Sequence, residues 1–270
     1  MTPLACTRTG AGPPLVLLHG LGSSRRAWDP VIPALAEQFE VLAIDLPGFG
    51  DSEPLPLPVE PTPAALAAAV AGLLDDLGIT APHIAGNSLG GWVALELARI
   101  RPPASITLLS PAGLWRGNAP LYGLASLRAS RWLARHAAGL LTHVVSSRPG
   151  RILVLGQTHG QPSRFSPGQA RAIIGALGTC PGFDAALKAS ATRHYQSGPT
   201  PIDAPVTVAF GSRDLLLLRH QSRHLDELPV GTRLGTLPRC GHVPMADNPA
   251  AVTALITASS ARGLRPMVSQ

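Results

Sequence analysis

The stretch His83-Ile-Ala-Gly-Asn-Ser-Leu-Gly-Gly91 decides how the rest of the chain is interpreted. Residues 83–85 have the character of a short buried strand, and residues 90–101 form a helical stretch that stops at two prolines. A serine flanked by glycines two positions away on either side is typical of a sharp turn from strand to helix, which lifts the hydroxyl above the sheet. The pattern therefore predicts that Ser88 is a nucleophile.

Short runs of Val, Ile and Leu alternate with longer Ala- and Leu-rich stretches on both sides of this segment. Continuous apolar runs are typical of strands buried on both faces of a parallel sheet, and Pro at the start with Gly at the end indicates a helix. The alternation predicts an α/β fold, a mostly parallel sheet flanked by helices. The predicted strands are 15–18, 41–44, 83–85, 106–109, 206–210 and 232–237, and the predicted helices are 63–77, 90–101 and 250–260.

The alternation stops after residue 110 and returns near residue 201. We predict a core made of residues 1–110 and 201–270, and a helical insertion at 111–200 in which only 152–155 resembles a strand. The insertion carries ten basic residues and one acidic residue, whereas residues 1–110 carry five and ten. A helix over 121–145, broken near Gly139, is expected to carry Arg128, Arg131 and Arg135 on one stripe. The plain interpretation of that stripe is a solvated face.

A serine hydroxyl becomes a useful nucleophile when a histidine takes its proton and a carboxylate orients that histidine. In this architecture the three residues follow one another as Ser, Asp and His. Asp214 follows the predicted strand 206–210, and His242 follows the next predicted strand. Ser88, Asp214 and His242 are therefore the predicted catalytic residues.

Acyl transfer also needs two N–H donors for the oxyanion. Leu89 follows the nucleophile, and Leu21 lies in the glycine-rich loop after the first predicted strand, where His19 is expected to be structural. The amides of Leu21 and Leu89 are the predicted oxyanion hole. Candidate residues of the substrate pocket are Gly20, Asn87, Leu114, Trp115, Tyr122, Trp132 and Val243.

Other candidate groups have weaker patterns. His220 and His224 have a spacing that could bind a metal on a helix, but no HExxH-like partner accompanies them, so we expect neither a metal nor another cofactor. Cys240 is interpreted as a packed residue near His242 rather than a second nucleophile.

The net charge of +6 comes from the insertion, and aromatic residues make up only 4% of the chain, so we expect no nucleic-acid partner. The first residues lack a signal-peptide pattern, no apolar run approaches the ~18 residues of a membrane span, and the three cysteines are widely spaced. We expect a cytoplasmic protein with a small-molecule acyl substrate. The basic insertion suggests that this substrate is anionic, or that an acidic partner binds there.

Five motifs together resemble the α/β-hydrolase superfamily: Leu-Leu-His-Gly-Leu-Gly, Asp-Leu-Pro-Gly-Phe-Gly-Asp-Ser, Gly-Asn-Ser-Leu-Gly-Gly, Gly-Ser-Arg-Asp and Gly-His-Val-Pro. The resemblance extends from about Leu4 to near Ser260. It implies that residues 111–200 form a helical cap over the active site. Because only about fourteen residues precede the first predicted strand, the N-terminal edge of the sheet is expected to be shortened.

The resemblance implies a serine hydrolase that cleaves an ester or a related acyl bond, similar to carboxylesterases. Dehalogenases and epoxide hydrolases of this fold use an aspartate at the elbow, which Ser88 disfavours. The elbow and Ser110-Pro-Ala-Gly113 are also similar to meta-cleavage product hydrolases, which cleave carbon–carbon bonds in anionic diketo acids. That activity, an acyltransferase and a ligand-binding protein without catalysis stay open as alternatives.

Overall fold

The computed structural model of the protein describes residues 4–199 and 201–263. Within them a seven-stranded sheet has the order β1-β3-β2-β4-β5-β6-β7, in which β1 is antiparallel to β3 and the other pairs are parallel. The strands are β1 (Cys6–Thr9), β2 (Pro14–Leu18), β3 (Glu40–Ile44), β4 (His83–Asn87), β5 (Ser105–Leu109), β6 (Val206–Gly211) and β7 (Arg233–Leu237). The predicted α/β fold class is confirmed.

Each of the six predicted strands is present, with ends that differ by at most two residues. The additional strand β1 has four residues and forms the N-terminal edge, in keeping with the expected shortening. The strand suggested for 152–155 is wrong, because these residues end a helix. Ser147 caps that helix by accepting a hydrogen bond from Gly150 N at 3.1 Å, and Leu153 is exposed where a strand buried on both faces would hide it.

Four helices cover the two faces of the sheet, and the others lie in its connections. The covering helices are α1 (Ile32–Leu35), α2 (Pro63–Asp76), α3 (Leu89–Ile100) and α10 (Pro249–Gly263). Between β5 and β6 lie α4 (Leu121–His136), α5 (Ala138–Val144), α6 (Arg148–Leu155), α7 (Pro167–Thr179) and α8 (Phe183–Ala191), here called the inserted helices. The short α9 (Arg219–Ser222) lies between β6 and β7.

Burial on both faces explains the continuous apolar runs. In β2, Leu15 and Leu17 belong to the same cluster as Val252 and Ile256 of α10, whereas the alternate residues of that strand belong to the cluster that contains α2 and α3. Successive side chains of a strand point to opposite faces, so an unbroken apolar run fits a sheet covered on both sides. No helix in the described part of the chain is long and apolar enough to cross a membrane.

The inserted helices have a small apolar cluster of their own, to which α4, α5, α6 and α7 contribute. The helix predicted over 121–145 ends at His136 and restarts at Ala138, just before the expected break at Gly139. The predicted arginine stripe needs correction, because Arg131 is only 6% exposed. It donates a hydrogen bond of 2.7 Å to Cys180 O and lies 5.3 Å from the ring centre of Phe183, so it joins α4 to the segment before α8.

Candidate active site

Ser88 lies at the turn from β4 to α3 with a φ of 54°, a conformation that residues with a side chain rarely adopt. The flanking glycines make the turn sterically feasible. A Cβ on Gly86 would lie 2.3 Å from Gly90 O, and a Cβ on Gly90 would lie 2.2 Å from Leu18 O. Ser88 N donates to Leu109 O at 3.1 Å, which attaches the turn to the neighbouring strand β5.

Asp214 and His242 lie in the loops after β6 and β7 and form a buried pair, with Oδ2 and Nδ1 3.0 Å apart. The other carboxylate oxygen accepts hydrogen bonds from Leu216 N at 3.0 Å and Leu217 N at 2.9 Å. Burial by itself raises the pKa of Asp214, but the neighbouring His242 and these bonds outweigh it and hold the pKa below its usual value. The carboxylate therefore stays ionised and accepts the Nδ1–H of His242.

The second ring nitrogen of His242, Nε2, is buried and has no hydrogen-bond partner among the described residues. With the proton on Nδ1, a neutral imidazole carries a lone pair on Nε2 and accepts a proton there. His242 and Ser88 line the same cavity. The cavity wall therefore holds both a serine hydroxyl and an imidazole that is able to accept a proton.

Two residues whose positioning roles the sequence did not reveal hold this pair. The side chain of Asn87 donates to His242 O at 2.8 Å and to Leu109 O at 2.9 Å. Ser110, with a φ of 44°, accepts from Gly211 N at 3.4 Å, and its hydroxyl helps to hold the pKa of Asp214 below its usual value. Asn87 ends β4 and Ser110 directly follows β5. This position at the ends of strands is the one signal in the sequence that could have indicated them.

The loop after β2 passes close to the nucleophile, since a Cβ on Gly20 would lie 3.1 Å from Ser88 Cβ. Leu21 and Leu89 both line the cavity, and neither amide donates to an acceptor among the described residues. The loop is held by His19, whose Nε2 accepts from Leu46 N at 3.0 Å and whose Nδ1 donates to Gly20 O at 2.8 Å. Burial lowers the pKa of His19, so the ring is neutral and serves a structural role.

A cavity of about 880 Å³ extends from Ser88 beneath the inserted helices. Its wall is mostly apolar. Representative members from α4, α5 and α7 are Leu124, Leu127, Leu141, Ile173, Ile174 and Leu177. The carboxylate and guanidinium side chains in the lining are Asp29 and Arg26, both exposed and of opposite charge. The cavity therefore suits an uncharged apolar group better than an anion.

The seven candidate pocket residues fall into two groups. Those that line the cavity are Gly20, Asn87, Trp115 and Val243, whereas Leu114, Tyr122 and Trp132 lie outside its lining. Leu114 packs in the main core, Tyr122 donates to Leu215 O at 3.0 Å, and Trp132 is 59% exposed and stacks on His136. These three side chains serve contacts within the protein.

The arginine stripe does not reach the cavity either, because neither Arg128, Arg131 nor Arg135 is in its lining. Arg135 lies 3.8 Å from Asp184 at the surface, and Arg128 is exposed. The position of these groups gives no support to an anion-binding role for the stripe inside the cavity.

The remaining candidates have ordinary surroundings. His220 lies in the four-residue α9, but His224 lies beyond its end, so the helix expected to hold both is wrong. No group of three or more His, Cys, Asp or Glu side chains in the described residues is arranged to hold a metal ion. Cys240 is fully buried, and burial, with Asp247 nearby, raises the pKa of its thiol to about 11, which suits a packed residue.

Comparison with known proteins adds three similarities. A model of the alpha/beta hydrolase family matches residues 15–255. A pimeloyl-[acyl-carrier protein] methyl ester esterase of Aeromonas hydrophila is 31% identical over 252 residues, covering 90% of this chain and 93% of the relative. Epoxide hydrolase EphH of Mycobacterium tuberculosis is 33% identical over 205 residues, covering 72% of this chain and 92% of the relative.

Among solved structures, a thermophilic esterase from Thermogutta terrifontis superimposes with a TM-score of 0.77. The match covers 97% of this chain and 94% of the esterase, at 24% sequence identity. This similarity concerns the fold.

Proposed function

Because the chain belongs to the alpha/beta hydrolase family, we propose that it is a serine hydrolase that cleaves carboxylic esters through an acyl-enzyme on Ser88. The observation that carries the proposal is the buried Asp214–His242 pair, because His242 lines the same cavity as Ser88 and its Nε2 has no hydrogen-bond partner among the described residues. A nucleophile, a base and an orienting carboxylate are the parts that acyl transfer to serine requires.

In the proposed reaction, His242 Nε2 takes the hydroxyl proton of Ser88 as its oxygen attacks the ester carbonyl. Asp214 stabilises the imidazolium that forms, and the amides of Leu21 and Leu89 bind the oxyanion. The imidazolium then protonates the departing alcohol. Water, deprotonated by His242, attacks the acyl-enzyme and releases the carboxylic acid with Ser88 restored.

We further propose that the inserted helices, within residues 111–200, act as the cap of the site and that the cavity beneath them holds an apolar acyl chain. Burying one methylene contributes up to about 0.8 kcal/mol, which is roughly a fourfold gain in kcat/KM per methylene. Activity should therefore rise with acyl-chain length until the cavity is filled. The similarity to a methyl ester esterase supports ester cleavage and leaves the alcohol part to be determined by assay.

Epoxide hydrolysis is the second candidate, since one relative at 33% identity bears that name. The chemistry of position 88 argues against it. A carboxylate that opens an epoxide forms an ester, which water cleaves, whereas a serine would form an ether, which water leaves intact. Carbon–carbon cleavage of an anionic diketo acid is disfavoured by the apolar wall of the cavity.

The test is hydrolysis of p-nitrophenyl esters together with labelling by a fluorophosphonate probe. Ser88→Ala should abolish labelling and lower kcat/KM by about 10⁴-fold or more, and His242→Ala should slow both. Turnover retained in Ser88→Ala would overturn the mechanism.

A panel of substrates separates the alternative activities: an epoxide, a diketo acid, and an ester with an added alcohol acceptor. Binding of an ester without turnover or labelling would indicate a non-catalytic protein.

A further inference from the structure

Asp247 lies in the loop between His242 and α10, and only 4% of its surface is exposed. Its carboxylate accepts three main-chain hydrogen bonds. Gly241 N and Gly160 N donate to Oδ2 at 2.8 and 2.7 Å, and Gln161 N donates to Oδ1 at 2.8 Å. Gly241 precedes His242, whereas Gly160 and Gln161 follow α6. One buried carboxylate thus joins the loop of the proposed base to the inserted helices.

Further hydrogen bonds extend this connection. Val243 N donates to Thr158 O at 2.9 Å, and the side chain of Gln161 donates to Asp247 O at 2.8 Å. Arg213, next to Asp214, donates from its side chain to Gly160 O at 2.9 Å and from its amide to Cys240 O at 2.8 Å. We call residues 158–161, 240–243 and 247 the Asp247 junction. Through Arg213 it also contacts the loop that carries Asp214.

The two segments of the junction pack so closely that each has a glycine at the contact. A Cβ on Gly241 would lie 2.6 Å from Thr158 O, and a Cβ on Gly160 would lie 2.2 Å from Arg239 O. Contact at this distance brings main-chain amides of both segments within reach of one carboxylate. Movement of either segment would break bonds that the other shares.

The junction also sets the cavity wall beside His242. His159, between the junction residues Thr158 and Gly160, lines the cavity and is 4% exposed. Its Nδ1 lies 2.9 Å from Thr158 Oγ1, and its ring packs edge-on against Phe165 at 5.0 Å between centres. The position of this ring therefore depends on the same segment that Asp247 holds.

We propose that Asp247 is a positioning residue that fixes His242 and the adjacent cavity wall in one arrangement, through the amides of Gly241, Gly160 and Gln161. This inference rests on the proposed function, because it assigns the role to the base of that reaction. Displacement of a reacting group by about 1 Å costs on the order of 100-fold in rate. Asp247 acts on the rate without touching the substrate.

The decisive variant is Asp247→Asn, which keeps the size of the side chain but replaces one acceptor oxygen with a donor. We expect kcat for a short ester and the rate of fluorophosphonate labelling to fall together by about 10- to 100-fold. KM for a long-chain ester should rise as well, because the wall at His159 shifts. If Asp247→Asn folds poorly, Gln161→Leu removes only the side-chain bond to Asp247 O and should lower kcat by a smaller factor.

Asp45→Asn is the matched control. Asp45 is also fully buried and accepts from Arg25 N at 2.6 Å and Asp51 N at 2.9 Å, but it lies after β3 and has no hydrogen bond to the junction. The Asp45→Asn substitution should lower the melting temperature while kcat per folded molecule stays within about threefold of the wild type. A kcat for folded Asp247→Asn within twofold of the wild type would overturn the proposal, as would a loss no greater than that of the control.

Hydrogen–deuterium exchange gives a readout that does not depend on turnover. In Asp247→Asn, amides of residues 158–161 and 240–243 should lose protection together, whereas in Asp45→Asn they should keep it. Loss in one segment alone would show that the segments are not coupled through Asp247. Absence of Ser88-dependent turnover in the wild type, with coupled exchange retained, would count against the proposed function and leave the junction as a structural connection only.

Discussion

Asn87 donates a hydrogen bond of 2.8 Å to the main-chain oxygen of His242, although the two residues are 155 positions apart in the chain. The same amide group donates to Leu109 O at 2.9 Å. The residue before Ser88 thus links β4, β5 and the loop of the proposed base. The position of His242 relative to Ser88 is therefore set by contacts inside the sheet as well as by the loops above it.

Asn87→Asp should lower kcat by about 100-fold or more, because an aspartate of the same size has no N–H for the two carbonyl oxygens and repels them. Asn87→Ala removes the donor without the repulsion and should cost about tenfold. Ester hydrolysis at saturating substrate, with melting temperatures for each variant, checks both values. Asn118→Asp, at an exposed position, controls for the added charge. Equal activity in both Asn87 variants would refute the repulsion argument.

Leu127→Trp should shorten the apolar cavity and reduce kcat/KM for decanoyl esters by about tenfold or more, while acetyl esters are hydrolysed nearly as well as by the wild type. Leu127 lines the cavity from α4, so added bulk there occupies the space of the chain. Ala129→Trp adds the same ring at an exposed position outside the lining and serves as the control. A uniform loss on short and long esters would argue against chain binding in this part of the cavity.

The buried Arg131 and the exposed Arg128, both on α4, should respond differently to substitution. Arg131→Met leaves the buried oxygen of Cys180 without its donor and should lower the free energy of unfolding by about 2 kcal/mol. Arg128→Gln should change it by less than about 0.5 kcal/mol, because Arg128 is exposed. Urea denaturation measures both. A selective rise in KM for anionic esters in Arg128→Gln would restore the anion-binding hypothesis that the cavity lining does not support.

Stability should fall as the pH is lowered from about 7 towards 5. Burial lowers the pKa of His19, and it lowers that of His159 to about 4, so the unfolded chain binds protons near pH 6.5 that the folded chain does not. Each such histidine lowers the free energy of unfolding by up to about 1.4 kcal/mol per pH unit in that window. His159→Phe should flatten the pH dependence measured by urea denaturation at pH 7 and 5. An unchanged slope would contradict the assignment to His159.

Patterns that repeat locally made most of the fold predictable. The continuous apolar run at residues 15–18 predicted a strand covered on both faces, and β2 is such a strand. The glycines on either side of Ser88 predicted a tight turn from a strand into a helix, and the structure has that turn. Asp214 and His242 were predicted from their position after successive strands, and the structure brings them to 3.0 Å. These inferences needed only chain order and the rule that parallel strands end at the same edge.

Contacts between distant backbone atoms were beyond such patterns. Asp247 holds three amides, and the sequence marks none of them as a partner, because every residue except proline has the same N–H. Arg131 was predicted to belong to a solvated stripe, because helical periodicity shows which side chains share a face of the helix but not which other part of the chain packs against that face. The run Ile152-Leu-Val-Leu155 was ambiguous because a short apolar run is too short to show either the helical or the strand period. In the structure these residues are helical, in a helix whose N-terminus is capped by the Ser147 side chain.

At the elbow, the hydrogen bonds seen for Ser88 among the described residues involve its main chain, and Gly86 and Gly90 provide the space for the turn. The shape of the turn is thus specified by its neighbours and is separate from the side chain that it displays. A substitution of the Ser88 side chain therefore leaves the main-chain hydrogen bonds of the turn in place.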